Sequence, residues 1–174
     1  MSHAKEEVLA VLERVPVAAV ATSEGDKLRI RMMHFAADAN FNLYLASMKG
    51  DPKIIQMTQH PSVSLLAHDT NPDINLSGEV EITGKATFVR DEAEREKALT
   101  LTATRSPVVK YLTEIGNASV LDCIKIVPEM VKYRVFGEIV QGMAPTVFEF
   151  PQNREVVSDW SLLKRKAAHW RMAL

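Results

Sequence analysis

Three side chains that could bind a phosphate group stand close together in the pattern of predicted elements. Arg31 lies in an alternating strand, Ser47 ends the next strand, and Lys53 follows a Gly-Asp-Pro turn. Guanidinium, hydroxyl and ammonium groups donate hydrogen bonds to phosphate, and the unpaired amides at a helix N-terminus add to them. Beside an apolar strand face, such donors suit a ligand that has a phosphate at one end and a flat ring at the other.

A hairpin between the two strands would bring these groups together. With the turn centred on Ala39, Arg31 lies opposite Ser47 and Met33 lies opposite Leu45 on the same side-chain face. Along that face the side chains change from apolar to cationic. The chain then turns directly into the helix that carries Lys53. The spacing therefore predicts a phosphate site at this end of the hairpin.

A plainer interpretation of the same residues stays open. Alternating arginines such as Arg29 and Arg31 are typical of a solvated strand face, and a serine before a Gly-Asp-Pro turn is typical of local turn chemistry. Asp51, as a helix N-cap, would also use the same amides and repel a phosphate dianion. Spacing alone does not decide between a phosphate site and a solvated hairpin.

The elements that would position these residues are strands interrupted by short helices. Gly84 breaks a clear polar–apolar alternation and predicts a bulge or a close backbone approach. Six or more strands joined mostly by tight turns predict a mainly β, antiparallel barrel with short helices. The predicted helices cover residues 4–15, 53–59, 91–101 and 107–115, and the predicted strands cover 17–22, 28–35, 41–48, 62–67, 80–88, 120–127 and 130–140.

Composition favours one soluble domain. The 174 residues are 47% hydrophobic, and 21 basic and 22 acidic residues leave a net charge of -1. This balance predicts neither a nucleic-acid nor a membrane partner, and no apolar run approaches the roughly 20 residues of a membrane span. The cytoplasm is the expected compartment. Residues 1–150 are predicted to form the barrel, and residues 151–174 a C-terminal arm of the same domain.

Cysteine and histidine usage predicts no metal site. Cys123 is the single cysteine and lies in an apolar run, which indicates a buried, inert thiol. The histidines lack the spacing of metal ligands. They are His3, His34, His60, His68 and His169.

A continuous series of segments carries a family resemblance. These segments are Arg31–Ala36, Leu45–Ser47, Lys53 and His60–Leu66, followed by Glu79–Ala86. In order and spacing they resemble the FMN-binding core of the pyridoxamine phosphate oxidase-like split-barrel flavoproteins. The resemblance implies a six- to seven-stranded split barrel of the FMN-binding type, and a homodimer that holds FMN between its subunits.

The resemblance also implies roles for individual residues. Arg31 and Lys53 would bind the FMN phosphate, and Ser47 would donate a hydrogen bond to it. Met32, Met33 and His34 would line the isoalloxazine ring. The complete set of implied cofactor-binding residues is Arg31, Met32, Met33, His34, Ala46, Ser47, Lys49, Lys53 and Glu79.

Three positions depart from the oxidase pattern. Pro52 replaces an arginine that precedes the lysine, Glu79 replaces a glutamine, and Ala36 replaces a substrate-binding lysine. Lys49 could offset the first change, and the last argues against pyridoxamine phosphate as the substrate. The expected function is an FMN-dependent oxidoreductase that links a reduced nicotinamide-type donor to a small acceptor. A non-catalytic module that binds flavin, haem or a deazaflavin is the alternative, and a ligand-free structural homodimer is a third.

Overall fold

The computed structural model describes residues 3–151 as eight strands and five α-helices. The strands are β1 Val17–Glu24, β2 Lys27–His34, β3 Ala36–Ala37, β4 Leu43–Met48, β5 Ser62–Asp69, β6 Gly78–Phe88, β7 Leu121–Val135 and β8 Thr146–Glu149. The helices are α1 His3–Arg14, α2 Pro52–Gln59, α3 Glu92–Ala103, α4 Pro107–Glu114 and α5 Phe136–Val140, with short 3₁₀ turns at Ile74–Leu76 and Ala118–Val120.

The strands form one antiparallel sheet that returns on itself. Its order is β2-β1-β5-β6-β7-β4-β3, and β8 pairs with β7. Only Phe35 separates β2 at one edge from β3 at the other, so the chain itself joins the two edges into a barrel. Counted with β3 as the continuation of β2, the described part has seven strands. The predicted antiparallel split barrel is confirmed.

The core fills the inner face of the sheet and extends into two helices. Strand residues such as Leu45, Leu65 and Ile82 are fully buried there. From α1, Leu12 packs into this core, and from α2, Met57 does the same. Helix α2 follows β4 directly and packs against β1 and β6. It therefore lies at the end of the barrel where β1 and β4 end and β2 begins. None of the helices in the described part is long and apolar enough to span a membrane.

The predicted pairing of Arg31 with Ser47 is wrong. Arg31 of β2 lies opposite Val20 of β1, and Ser47 of β4 lies opposite Asp122 of β7. The tight turn at Gly25, which adopts a left-handed φ of 62°, makes β1 and β2 the local hairpin. Alternation shows which face a residue occupies but not which strand lies beside it, and this is why the partner was misassigned.

Two further expectations about strands need correction. The predicted strands 120–127 and 130–140 form one strand that ends at Val135, and residues 136–140 are helical. Pro128 has no N–H to donate to the neighbouring strand. It lies opposite Gly84, where the register between β6 and β7 shifts. A Cβ at Gly84 would lie 2.2 Å from the Val127 carbonyl oxygen, so the predicted close approach is confirmed. Strand β8 was not predicted.

The predicted C-terminal arm, residues 151–174, lies outside the described residues except for Pro151. The assignment of this segment as an arm of the same domain stays a prediction.

Candidate functional site

Arg31 reaches α2 through two polar side chains. Its guanidinium donates hydrogen bonds to Thr22 Oγ1 and Gln56 Oε1, each at 2.6 Å. Thr22 also donates to Gln56, at 2.8 Å, and both of these partners are buried. The contacts hold Arg31 at the barrel end, on the inward-facing side of β2 next to α2.

Ser47 and Lys53 form a second cluster at the first turn of the same helix. The Lys53 ammonium donates to Ser47 Oγ at 3.0 Å and to Asp51 Oδ2 at 2.6 Å, and the Ser47 hydroxyl also donates to Asp51. Lys53 and Gln56 are three residues apart on α2 and so share a face of the helix. The structure therefore brings Arg31, Ser47 and Lys53 to one helix, although not through the predicted strand pairing.

The charges of the two clusters are unequal. Asp51 pairs with Lys53, and hydrogen bonds from Lys53 and Ser47 lower the pKa of its carboxyl group. Arg31 is half-buried, and burial followed by repulsion from Arg29 lowers the pKa of its guanidinium. Among the described residues no carboxylate pairs with Arg31. Because buried charges are normally paired, an anionic group would complete this end of the barrel.

The helix amides contribute less than predicted. Pro52 has no N–H, and the amides of Ile54 and Ile55 donate to the Asp51 carbonyl at 2.9 and 3.4 Å. Of the first helical amides, that of Lys53 is the one left without a partner in the described part of the chain. Anion binding here would therefore depend mainly on side chains rather than on a cradle of unpaired amides.

Three other predicted cofactor residues lie on the outer face of the sheet. Met32 is 64% exposed, and Glu79 faces His68 across the ladder and pairs with Arg134 at 3.4 Å. His34 shares the outward side of β2, and its buried Nδ1 has no hydrogen-bond partner among the described residues. Side chains in a strand alternate, so this group lies on the opposite face from Arg31.

The remaining three predicted residues form no side-chain hydrogen bond or ion pair with either cluster in the part of the chain that the structure describes. Met33 packs in the barrel core, Ala46 packs under α3 with Tyr44, and Lys49 is exposed after β4. For Met33 and Ala46 only the backbone is available for the implied cofactor contacts. Cys123 is buried, as predicted, and its burial raises the pKa of the thiol.

Sequence reasoning missed two parts of this region. The buried pair Thr22 and Gln56 gave no signal, because a threonine in an apolar strand and a glutamine in a short helix are both ordinary. The exposed stripe of Leu28, Ile30 and Met32 did give a signal, since these residues alternate with Lys27, Arg29 and Arg31.

Known proteins provide an independent comparison. Residues 4–131 match the family model described as pyridoxamine 5'-phosphate oxidase. No curated protein matches the chain. A Listeria innocua protein provisionally described as a pyridoxamine 5'-phosphate oxidase is 26% identical, with a TM-score of 0.60, and the match covers 78% of this chain and 99% of that one.

Two mycobacterial structures share the fold at lower identity. The FAD-binding protein of Mycobacterium smegmatis is 18% identical, with a TM-score of 0.59 and coverage of 77% of this chain and 96% of its own. A haem-binding protein of the same organism is 14% identical, with a TM-score of 0.68, and the match covers 86% of this chain and 59% of that one. At these identities the likeness concerns the fold alone.

Proposed function

Because the chain belongs to the pyridoxamine 5'-phosphate oxidase family, we propose that it binds FMN, with the cofactor phosphate on Arg31, Ser47 and Lys53. The observation that carries this proposal is the half-buried Arg31, which has no carboxylate partner among the described residues and shares α2 with the other two donors. A phosphate would supply the missing negative charge.

The donor set fits a phosphate monoester. Arg31 offers a planar guanidinium, while Lys53 and Ser47 lie 3.0 Å apart and can both turn towards one anionic group. The carboxylate of Asp51 already contacts both of the latter, which supports the idea that anionic oxygens are accommodated here. Lys49, exposed just before the turn, would add positive charge at the rim.

The ring of the cofactor is proposed to lie between two copies of the chain. Met32, His34 and Glu79 share the outer face of the sheet, opposite Arg31. A single chain therefore offers the phosphate donors on one face and the proposed ring contacts on the other. In a homodimer, the outer face of one subunit can complete the phosphate-binding end of its partner, and the exposed stripe on β2 supports such an interface.

We further propose that the protein is an oxidoreductase linking a reduced nicotinamide-type donor to a small acceptor. Bound FMN would supply the hydride and electron chemistry. The residues of this chain would hold the phosphate, orient the ring and exclude water from it. Ala36 is buried and offers no charge for a substrate phosphate, which supports a reaction other than that of the oxidase.

The double variant Arg31→Ala, Lys53→Ala tests the site. Each charge-assisted contact contributes about 1.5–3 kcal/mol, so the variant should bind FMN at least about a hundredfold more weakly and purify without the absorbance bands of flavin. The variant Arg14→Ala, Lys110→Ala removes the same charge from exposed ion pairs and should keep the cofactor. Equal FMN content in both variants, or a haem band in the wild type, would contradict the proposal.

Oxidation of reduced nicotinamide by the FMN-loaded protein tests the activity separately. FMN-dependent consumption with a small quinone as acceptor is the expected result. A protein that retains FMN but shows no turnover with any such pair would be a flavin-binding module rather than an enzyme.

A further inference from the structure

The carboxylate of Asp51 occupies the donors that the proposed function assigns to the phosphate. It accepts hydrogen bonds from both Ser47 Oγ and Lys53 Nζ. These are two of the three side chains that would bind the cofactor phosphate. The contact is only partly shielded from water, with 31% of the Asp51 side chain exposed.

Helix capping does not account for this arrangement. Asp51 is at the N-cap of α2, where an aspartate ordinarily accepts a hydrogen bond from an amide in the first helical turn. Here its side chain makes no capping bond. The Asp51 main-chain carbonyl accepts the bonds from Ile54 and Ile55 instead, and Pro52 starts the helix. The carboxylate is therefore directed at Ser47 and Lys53 rather than at the helix.

We propose that Asp51 is a specificity-determining residue that competes with the cofactor phosphate for Ser47 and Lys53. This inference rests on the proposed function, and it adds that the phosphate can engage these two donors only after the carboxylate is displaced. The competition weakens the binding of phosphorylated flavin selectively. It leaves contacts with the ring unchanged, because Asp51 is not on the outer face that carries Met32, His34 and Glu79.

Charge makes the competition strong. Arg31, Lys53 and Asp51 together carry one net positive charge, whereas a phosphate monoester carries about -1.5 to -2 at neutral pH. Since Lys53 offers the one amide of the first helical turn that has no partner within residues 3–151, side chains must supply the other donors that the phosphate needs. A residue that holds two of them therefore has a direct effect on affinity.

The affinities for FMN and riboflavin test this inference, because riboflavin lacks only the phosphate. Dissociation constants are measured by quenching of flavin fluorescence for the wild type, Asp51→Asn and the control Glu114→Gln. The control removes one negative charge from an exposed position on α4. Asparagine is a good N-cap residue and nearly isosteric with aspartate, so the variant keeps the helix start, which circular dichroism verifies.

We expect Asp51→Asn to increase the preference for FMN over riboflavin by about tenfold, while Glu114→Gln leaves this preference unchanged. An unchanged preference in Asp51→Asn, with FMN still bound by the wild type, would overturn the role of Asp51 and leave the proposed function intact. A reduced preference would show that Asp51 positions Lys53 for the phosphate and would equally overturn the competition. If no variant binds either flavin, the proposed function fails, and this inference with it.

Discussion

Tyr44 is a fully buried tyrosine whose hydroxyl group lies among charged side chains. It donates a hydrogen bond to Glu94 at 2.6 Å and accepts one from Lys97 at 2.9 Å. Lys97 also contacts Asp38, and Lys125 contacts Glu94. The hydrogen bond that Lys97 donates to Tyr44, followed by the contact with Asp38, raises the pKa of Lys97 to about 12. The cluster links α3 to the outer surface of β4 and β7.

Tyr44→Phe should destabilise the protein at neutral pH. The substitution removes the hydroxyl from Glu94 and Lys97 while the ring keeps its packing, and a loss of about 1–3 kcal/mol in the free energy of unfolding is expected. Urea unfolding followed by circular dichroism measures it. Tyr111→Phe, at an exposed position on α4, is the matched control and should change little.

The penalty of Tyr44→Phe should depend on pH. The hydrogen bond from Tyr44, followed by that from Lys125, lowers the pKa of Glu94 in the folded state. A lowered folded-state pKa stabilises the protein above the unfolded value, about 4.3 for a glutamate, and this stabilisation is lost as the pH falls through the folded value. The difference between wild type and variant should therefore be largest near neutrality and shrink in acid. A difference that grows in acid would exclude this linkage.

At the scale of elements, one arginine joins the two helical regions of the chain. Arg105, in the connection between α3 and α4, donates to the carbonyl oxygens of Leu12 at 2.9 Å and Val15 at 2.8 Å. It also donates to the carbonyl of Glu13. These groups lie at the C-terminal end of α1, where carbonyls lack intrahelical partners and the helix dipole favours a cation. Arg105 thus caps α1 from a distant part of the sequence.

Arg105→Ala should cost about 2–3 kcal/mol in the free energy of unfolding, because several charge-assisted bonds are lost together and partly buried carbonyls are left unpaired. Arg105→Lys should recover only part of this, since an ammonium group cannot span the same set of oxygens. Unfolding in guanidinium chloride measures the free energy of unfolding of both variants and of the wild type. An alanine variant as stable as the wild type would show that this cap does not stabilise the protein.

The elements differ in how far they could be predicted. The bounds of the four predicted helices came out to within one or two residues, because their signals are local: Asp91 and Ser106 both accept capping bonds, and Pro107 starts α4. The fifth helix, α5, was predicted as part of a strand. The pairing of β4 with β7 was missed, since these strands lie more than 70 residues apart and no local pattern connects them. Residue types and spacing suggested Arg31, Ser47 and Lys53, and the family resemblance favoured a phosphate site over a solvated hairpin. The hydrogen bonds of Arg31 to Thr22 and Gln56 could not be predicted from the sequence, because they depend on how the barrel closes.

At the scale of the whole molecule, β2 presents an apolar surface at the edge of the sheet. Leu28 is 78% exposed and Ile30 is 73% exposed, and with Met32 they form one continuous stripe. In the register of the sheet the stripe continues over Ala19 and Ala21 of β1 to Leu66 of β5. An unpaired edge with an exposed apolar face is a site of association between chains, and it adjoins the proposed ring contacts.

Ile30→Lys should therefore weaken the proposed dimer and, with it, FMN binding. A charge at the centre of the stripe must be desolvated when two copies meet, whereas in the isolated chain it stays in water and leaves the fold unaffected. Light scattering over a concentration series should show the variant as a monomer where the wild type is a dimer, and its FMN content should fall in parallel.

Val108→Lys makes the same change at an exposed apolar position on α4 and should leave both properties unchanged. A variant that stays dimeric would place the interface elsewhere, and a monomer with full FMN content would show that one chain alone holds the cofactor.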